Sequence, residues 1–303
     1  MSPPPDSFSE WSYARHREHL VPFRAGEARA EEARGWMDDG TADAWRHRRM
    51  VALAGPLVES FPGSEWLTVG DGAYGRDAHH LAALGASVLA TDLADELLAE
   101  ARAAGYVERY GRENAECLSF ADGAFDFVLC KEAYHHFPRP PLALYEMLRV
   151  ARRGVMLVEP NDPTVARSVR ELVYRRWKDR LKRLLGRDVS VHRFEETGNY
   201  VYALSRSEVE KLALAVGHRH VAFLGLNDSF LPGLGDERAD SPGPALRRLK
   251  RRLALYDVLV RLGLMQPVLL AAIVFRTEPG PAATDALIRS GWDVVTLPAN
   301  PYR

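Results

Sequence analysis

The sequence predicts an α/β fold built on a doubly wound sheet of seven strands, mostly parallel with an antiparallel last strand. Short apolar strands and helices alternate at close spacing over residues 65–160, which is typical of a parallel sheet flanked by helices. Within that stretch, a glycine-rich turn at residues 70–75 follows the first strand and opens a helix. Asp92 ends the next strand, about 20 residues after the first glycine. This unit is typical of a Rossmann-like fold that binds a nucleotide.

The composition is that of an ordinary globular protein, with 303 residues, 47% hydrophobic and 27% charged, and a net charge of −1. That length suits one large domain, or one domain with an inserted cap. A net charge near zero argues against a nucleic-acid partner, and no apolar run approaches the roughly 18 residues of a membrane helix. The N-terminus lacks a signal-peptide pattern, and the two cysteines have neither metal-site nor disulfide spacing. We therefore expect a cytoplasmic protein without a membrane span.

The order of the predicted elements divides the chain into five parts. Core strands are predicted at residues 67–69, 87–91, 115–118, 125–131, 154–159, 220–226 and 268–276. The first three parts are an N-terminal segment with a possible lid at 1–42, a nucleotide-binding core at 43–160 and a helical cap at 161–204. The remaining core follows at 205–276 and contains an inserted loop and helix at 227–267. The last part is a C-terminal extension at 277–303. Residues 1–10 are predicted to be disordered. The extension is predicted either to lengthen the sheet or to contact a second copy in a homodimer.

Two predicted helices, at residues 163–185 and 244–262, carry an apolar stripe and many basic side chains. One interpretation is that the charges are solvated while the stripes pack on the sheet or on each other. The other is that the helices form a cap that attracts an anionic substrate. Aromatic residues are not interleaved with the basic runs, which again argues against nucleic acid.

The glycine turn and the acid after it predict a cofactor that contains adenosine. Glycine lets backbone N–H groups approach a ligand closely, and the Asp92 carboxylate can accept hydrogen bonds from a ribose diol. The spacing of Gly70, Gly72 and Gly75 also fits a nicotinamide or flavin dinucleotide, so it does not by itself decide the cofactor.

Four blocks in the order of the chain resemble the class I S-adenosylmethionine-dependent methyltransferases, particularly their broad small-molecule branch. They lie at residues 69–75, 91–93, 114–120 and 125–137. The resemblance implies S-adenosyl-L-methionine as the cofactor and S-adenosyl-L-homocysteine as the product. The residues that it implies around the cofactor are Gly70, Asp71, Gly72, Tyr74, Gly75, Asp92, Leu93, Asn114, Ala115, Glu116 and Lys131.

Three departures from that family's pattern affect individual contacts. Thr68 stands where the family usually has an acid that helps to hold the methionine end, so Asp71 or Lys131 is expected to replace it. The turn carries one extra residue near Tyr74, whose aromatic face would attract a sulfonium. Asn114 replaces a common Asp, although its amide oxygen can still bond the adenine edge.

Residues after the fourth and fifth strands are the candidates for chemistry, because ligands of open α/β sheets lie beyond the carboxyl ends of the strands. Methyl transfer to a hydroxyl needs a base, and His135, His136 or Glu132 is expected to supply it. Glu159 and Asn161 are predicted to contact the substrate. No His, Cys or Asp cluster has metal-ligand spacing in the sequence, so we predict no metal.

The sequence therefore predicts a methyltransferase that acts on a small molecule, most favourably on a hydroxyl of a sugar or secondary metabolite. An N-methyltransferase is the nearest alternative. A protein that binds the cofactor without methyl transfer and an NAD-dependent oxidoreductase are two further alternatives.

Overall fold

In the computed structural model, the described residues are 7–187, 189–190, 193–195 and 198–302. Their strands form one eight-stranded sheet in the order β3-β2-β1-β4-β5-β7-β6-β8. The strands are β1 Glu65–Val69, β2 Ser87–Asp92, β3 Tyr110–Arg112, β4 Phe125–Lys131, β5 Ala151–Pro160, β6 His220–Leu226, β7 Leu269–Phe275 and β8 Asp293–Thr296. The first five strands are parallel, β7 is antiparallel to both β5 and β6, and β8 is antiparallel to β6.

Eleven α-helices accompany this sheet in the described part of the chain. They are α1 Phe8–Leu20, α2 Ala30–Arg34, α3 Ala42–Val51, α4 Gly55–Ser60, α5 Arg76–Ala83, α6 Glu96–Ala103, α7 Pro140–Val150, α8 Val169–Leu184, α9 Arg206–Ala215, α10 Pro244–Arg261 and α11 Pro281–Arg289. None of the helices that the structure describes is both long and apolar enough to cross a bilayer.

The sheet separates two hydrophobic cores, because successive residues of a strand point to opposite faces. On β1, Trp66 enters the core shared with α4, α5, α6 and α11, and Leu67 enters the core shared with α7 and α9. Trp66 stacks on Phe127 of β4 with ring centroids 4.8 Å apart. The central strands are thus covered on both sides, as expected for a doubly wound sheet.

The predicted α/β architecture is confirmed, with two corrections to its strands. The third strand lies at Tyr110–Arg112, and residues 115–118 instead form the turn closed by an isolated bridge between Asn114 and Cys117. The sheet has an eighth strand, because β8 in the C-terminal extension pairs with β6. The extension therefore lengthens the sheet of its own chain.

Both predicted basic helices form, as α8 and α10. Leu246, Leu249 and Leu253 of α10 join a third core with Ala42 of α3. In α8 only Glu171 is buried. At the N-terminus, α1 begins at Phe8 within a segment predicted to be disordered, and residues 1–6 of that segment lie outside the described residues.

Candidate functional site

A cavity of about 400 Å³ opens at the carboxyl ends of β1, β2 and β4. This volume lies within the range of roughly 300–1,000 Å³ that is usual for small-molecule sites. The described residues that line it are Ser12, Tyr13, His16, His19, Leu20, Val69, Gly70, Gly72, Ala73, Asp92, Leu93, Glu113, Asn114, Ala115, Glu116, Glu132, Ala133, His136, Phe137, Pro138 and Glu195. The cavity thus lies where open α/β sheets bind ligands.

The glycine turn forms one wall of the cavity. Side chains would not fit at two of its positions. Gly70 has a φ of +77°, and a Cβ added to it would lie 2.4 Å from the Cβ of Ala133. A Cβ at Gly72 would lie 2.8 Å from the Asp92 carboxylate. The two glycines therefore leave a bare backbone facing the cavity, as the sequence predicted.

Asp92 is held in place by the backbone that surrounds it. The N–H of Gly72 donates to Oδ2 at 3.0 Å, and the N–H of Ala94 donates to Oδ1 at 2.9 Å. The side chain is almost completely buried, yet it lines the cavity. A carboxylate oxygen can accept more than one hydrogen bond, so both oxygens of Asp92 keep the capacity to accept from a diol.

His16 of α1 reaches the same carboxylate, with Nε2 3.4 Å from Asp92 Oδ1. Burial of His16 disfavours the imidazolium, but the hydrogen bond and the negative charge of Asp92 outweigh burial and raise the pKa of His16. No motif in the sequence surrounds His16.

The residues expected to replace the missing acid at Thr68 lie outside the lining of the cavity. Asp71 accepts hydrogen bonds from Thr68 Oγ1 and from the backbone N–H groups of Asp77 and Ala78, so it joins the turn to the start of α5. Burial and the charge of Asp77 raise the pKa of Asp71. Lys131 Nζ lies 3.2 Å from Asp77 Oδ1 within the same buried network.

Tyr74 and Gly75 are also placed away from the described lining, in contrast to their predicted contact with the cofactor. Tyr74 adopts a φ of +62° and accommodates the extra residue of the turn. Its fully buried side chain donates a hydrogen bond to Glu100 and packs edge-on against Trp36. A Cβ on Gly75 would lie 2.6 Å from Val107 and 3.1 Å from Leu98 of α6, so this glycine permits the close approach of the turn to these side chains.

The predicted adenine segment lines the cavity through Asn114, Ala115 and Glu116. Asn114 Oδ1 accepts from the backbone N–H of Glu116 at 3.0 Å, which holds the turn closed. The Glu116 carboxylate accepts from Arg139 Nε at 2.7 Å and from the Tyr13 hydroxyl at 2.6 Å. Glu116 therefore connects the cavity wall to α1 as well as lining the cavity.

Glu132 follows β4 and lines the cavity in a strained conformation, with a φ of +49°. Its carboxylate lies 3.6 Å from Lys131 Nζ and 3.7 Å from Arg46. Burial alone would raise the pKa of Glu132, but the charges of Lys131 and Arg46 outweigh burial and lower it. A carboxylate held ionised in this way suits the binding of a cation better than the removal of a proton from a hydroxyl.

His135 is bound to a buried acid. Its Nδ1 donates to Glu159 Oε2 at 2.6 Å, and Glu159 Oε1 accepts from the backbone N–H groups of Ala133 and Tyr134. Burial opposes protonation of His135, but the charge of Glu159 and its hydrogen bond outweigh burial and raise the pKa of His135. Glu159 is fully buried and holds the loop after β4, and its contact with the substrate stays a prediction.

His136 faces the cavity. Its Nδ1 donates to Glu195 Oε2 at 2.6 Å, and both residues line the cavity. This bond leaves Nε2 as the nitrogen that could accept a proton. Glu195 lies in the segment between α8 and α9, where the sequence offered no motif that would have singled it out.

Asn161, the other residue predicted to contact the substrate, forms hydrogen bonds between two segments of the fold. Its amide donates to the carbonyl of Pro267 at 3.0 Å, and its backbone N–H bonds Val268, so it joins the end of β5 to the start of β7. It is not among the described residues that line the cavity.

Two clusters in the described part of the chain bring three potential metal ligands within 4.8 Å of one another. One contains Asp39, His79 and His80, and the other contains His135, His136 and Glu195. Hydrogen bonds between the rings and the carboxylates account for the arrangement of the second cluster. The absence of a metal therefore stays a prediction.

The cavity fits S-adenosylmethionine. Gly70 and Gly72 provide a bare backbone, Asp92 presents two carboxylate oxygens, and Glu132 adds a negative charge. These features match a ligand with a ribose diol and a positively charged end.

Comparison with known proteins agrees with this geometry. The fold and the site define a nucleotide-binding α/β domain, and residues 67–158 match the family described as methyltransferase domain. This part of the chain is a class I S-adenosylmethionine-dependent methyltransferase domain. The predicted family and cofactor are thereby confirmed.

The similar proteins cover only part of the chain. An uncharacterized protein of Mycobacterium tuberculosis is 39% identical over 113 residues, which are 35% of this chain and 41% of that protein. Demethylmenaquinone methyltransferase of Thermus thermophilus is 36% identical over 106 residues, which are 34% of this chain and 48% of that enzyme. The chain thus spans less than half of the length of these relatives. The YcgJ protein of Bacillus subtilis has a similar crystal structure, with 19% identity, a TM-score of 0.49 and coverage of 76% of this chain and 99% of that chain.

Proposed function

We propose that this protein transfers a methyl group from S-adenosylmethionine to a hydroxyl of a small molecule, with His136 as the base. The observation that carries the proposal is that His136 and Asp92 line one cavity while Glu195 fixes the His136 ring. When bound, the cofactor supplies an activated methyl group on a sulfonium. The chain then has to position the acceptor and remove its proton.

The cofactor would be held by groups around the glycine turn. Asp92 would accept hydrogen bonds from the ribose hydroxyls, and Asn114 would lie against the adenine. Glu132 would attract the positively charged end, since Lys131 and Arg46 keep its carboxylate ionised. In this arrangement Glu132 has a binding role, which replaces its predicted role as a base.

His136 would take the proton of the acceptor hydroxyl on Nε2. Because Nδ1–H donates to Glu195, the ring is fixed in one tautomer and the carboxylate stabilises the imidazolium that forms. Glu195 is thus a positioning residue in this proposal. His135 would keep the loop in shape through Glu159 and would have no direct role in the reaction.

The charges around the cavity favour a neutral or cationic acceptor over the anionic one that the basic helices had suggested. Among the described residues that line the cavity, five are acidic and none is Lys or Arg. An anionic acceptor would meet repulsion from these carboxylates. Demethylmenaquinone methyltransferase, one of the similar proteins, acts by its name on demethylmenaquinone.

A methyl-transfer assay against a panel of hydroxyl and amine acceptors tests the proposal. With a hydroxyl acceptor, His136→Gln should lower kcat by roughly 10²- to 10⁴-fold and leave the affinity for S-adenosylhomocysteine unchanged. His220→Gln, at the amino end of β6, is the matched control and should keep the wild-type rate. Wild-type activity in His136→Gln would refute the base assignment, and turnover of amines alone would favour N-methylation.

A further inference from the structure

Helix α8 exposes a row of large apolar side chains. Val169, Val173, Trp177, Leu181 and Leu184 are between 43% and 77% exposed, and we call them the α8 face. At 100° per residue they fall within about 120° of arc, so they lie on one side of the helix. An apolar side of this kind in water is typical of a surface that meets another phase or another molecule.

The remainder of α8 is strongly basic. The helix contains seven Lys and Arg residues and two acids. Arg170 and Arg180 both lie within the apolar arc, where their long side chains can keep the guanidinium in a polar layer while the stem contacts apolar groups. Trp on the apolar side together with Lys and Arg on the others is typical of helices that lie in a membrane interface.

Hydrogen bonds attach the first turn of α8 to the chain after α10. Ser168 caps α8, and its hydroxyl donates to the carbonyl of Gly263 just after α10. Gln266 donates to Glu171 Oε1 at 2.9 Å. These contacts attach the first turn to the end of α10, where Leu262 is also exposed, and leave the α8 face pointing away from the body of the protein.

We propose that the α8 face docks on the surface of a bilayer that contains anionic phospholipids. Charge complementarity selects this occupant, because the apolar arc would enter the acyl boundary while the basic side chains meet the phosphates. If a second copy of the chain docked there through its own α8, the seven Lys and Arg residues of one helix would face the seven of the other, which is unfavourable. Nucleic acid would leave the apolar arc without a partner. The proposal does not depend on the acceptor of the methyl group.

Sedimentation with phospholipid vesicles tests the proposal on the full-length chain. The wild type should bind vesicles of phosphatidylglycerol and phosphatidylcholine but not pure phosphatidylcholine, and binding should weaken with salt. The double variant Val173→Glu/Trp177→Glu should reduce partitioning by at least roughly tenfold, because it places two charges in the apolar arc. Val216→Glu/Ile288→Glu replaces two exposed apolar residues outside α8 and should bind as the wild type does.

A second readout reports the insertion itself. Brominated phosphatidylglycerol should quench tryptophan fluorescence in the wild type, and Trp177→Phe should remove the quenched component. Three results would overturn the proposal: no binding to anionic vesicles, binding that the double variant in α8 retains, or a dimer in solution that this variant dissociates. Circular dichroism of each variant separates these results from a failure to fold.

Discussion

At the scale of single residues, two neighbouring histidines differ in their partners. Glu159, which receives the His135 hydrogen bond, is fully buried and also binds two backbone N–H groups. Glu195, which receives the His136 hydrogen bond, lines the cavity. The first pair therefore stabilises the loop after β4, and the second is placed where a substrate can reach it.

We predict that the His135–Glu159 pair stabilises the fold more at low pH than at high pH. The pKa of His135 is raised, so the stabilisation is complete below the ordinary imidazole value of about 6.5 and is lost as the pH rises through the raised value. His135→Gln should lower the free energy of unfolding by about 1–3 kcal/mol near pH 6 and by less near pH 9. Urea unfolding at the two pH values measures the difference.

A double-mutant cycle with Glu159→Gln isolates the pair from other effects of the substitutions. Gln keeps an oxygen that can accept from the N–H groups of Ala133 and Tyr134. The coupling energy should be larger at the lower pH. A coupling energy that stays constant or grows with pH would contradict a pair held by the imidazolium.

The positions of several site residues were predictable from the sequence, but the partners of their side chains were not. Gly70, Gly72 and Asp92 were found because a tight turn and a ribose each require a particular residue at a particular spacing. Glu159 and Asn161 lie at the end of β5, as predicted. However, the Glu159 side chain accepts from the backbone of Ala133, and the Asn161 side chain donates to the carbonyl of Pro267. Sequence position does not reveal which neighbour a side chain will meet, and no local pattern indicated His16 or Glu195.

At the scale of elements, α1 covers the cavity and is held there by polar contacts with three different segments. Tyr13 donates to Glu116, Ser12 donates to Asn199, and His16 lies against Asp92. The sequence predicted a lid within residues 1–42, and α1 places Ser12, Tyr13, His16, His19 and Leu20 along the cavity. We infer that α1 has to loosen before the cofactor is released.

We predict that weakening these contacts speeds release of the cofactor product. Ser12→Ala/Tyr13→Phe removes the two hydrogen bonds that these hydroxyls donate, worth about 1–3 kcal/mol together, which corresponds to a rise of roughly 5- to 150-fold in the dissociation rate. Stopped-flow displacement of S-adenosylhomocysteine measures that rate.

Glu18→Gln is the matched control, because Glu18 lies on α1, is exposed and bonds only Arg15 among the contacts described for it. It should release S-adenosylhomocysteine at the wild-type rate. An unchanged rate in Ser12→Ala/Tyr13→Phe would show that α1 does not control release.

Elements of the central sheet were predictable because burial on both faces imposes a continuous apolar run, as in β4 and β7. The edges were less predictable. At one edge, β3 has only three residues and none is buried. At the other edge, β8 is half-exposed and depends on pairing with β6, which is distant in sequence.

At the scale of the whole molecule, a net charge near zero conceals two regions of opposite sign. The described lining of the cavity is acidic, and α8 is basic. The basic residues of α8 lie outside the described lining of the cavity, whereas the sequence had suggested that they attract an anionic substrate. They belong to a surface that would bring the protein close to anionic lipid.

The central claim is that the cavity beside Asp92 binds S-adenosylmethionine. Calorimetric titration of S-adenosylhomocysteine into the wild type and Asp92→Asn tests it most directly, with Asp285→Asn on the exposed side of α11 as the control. Loss of a hydrogen bond to a charged group costs about 1.5–3 kcal/mol, so Asp92→Asn should bind roughly 10- to 100-fold more weakly. The control should bind as the wild type does, and NAD should not bind. Equal binding by Asp92→Asn, or binding of NAD in place of S-adenosylhomocysteine, would contradict the account.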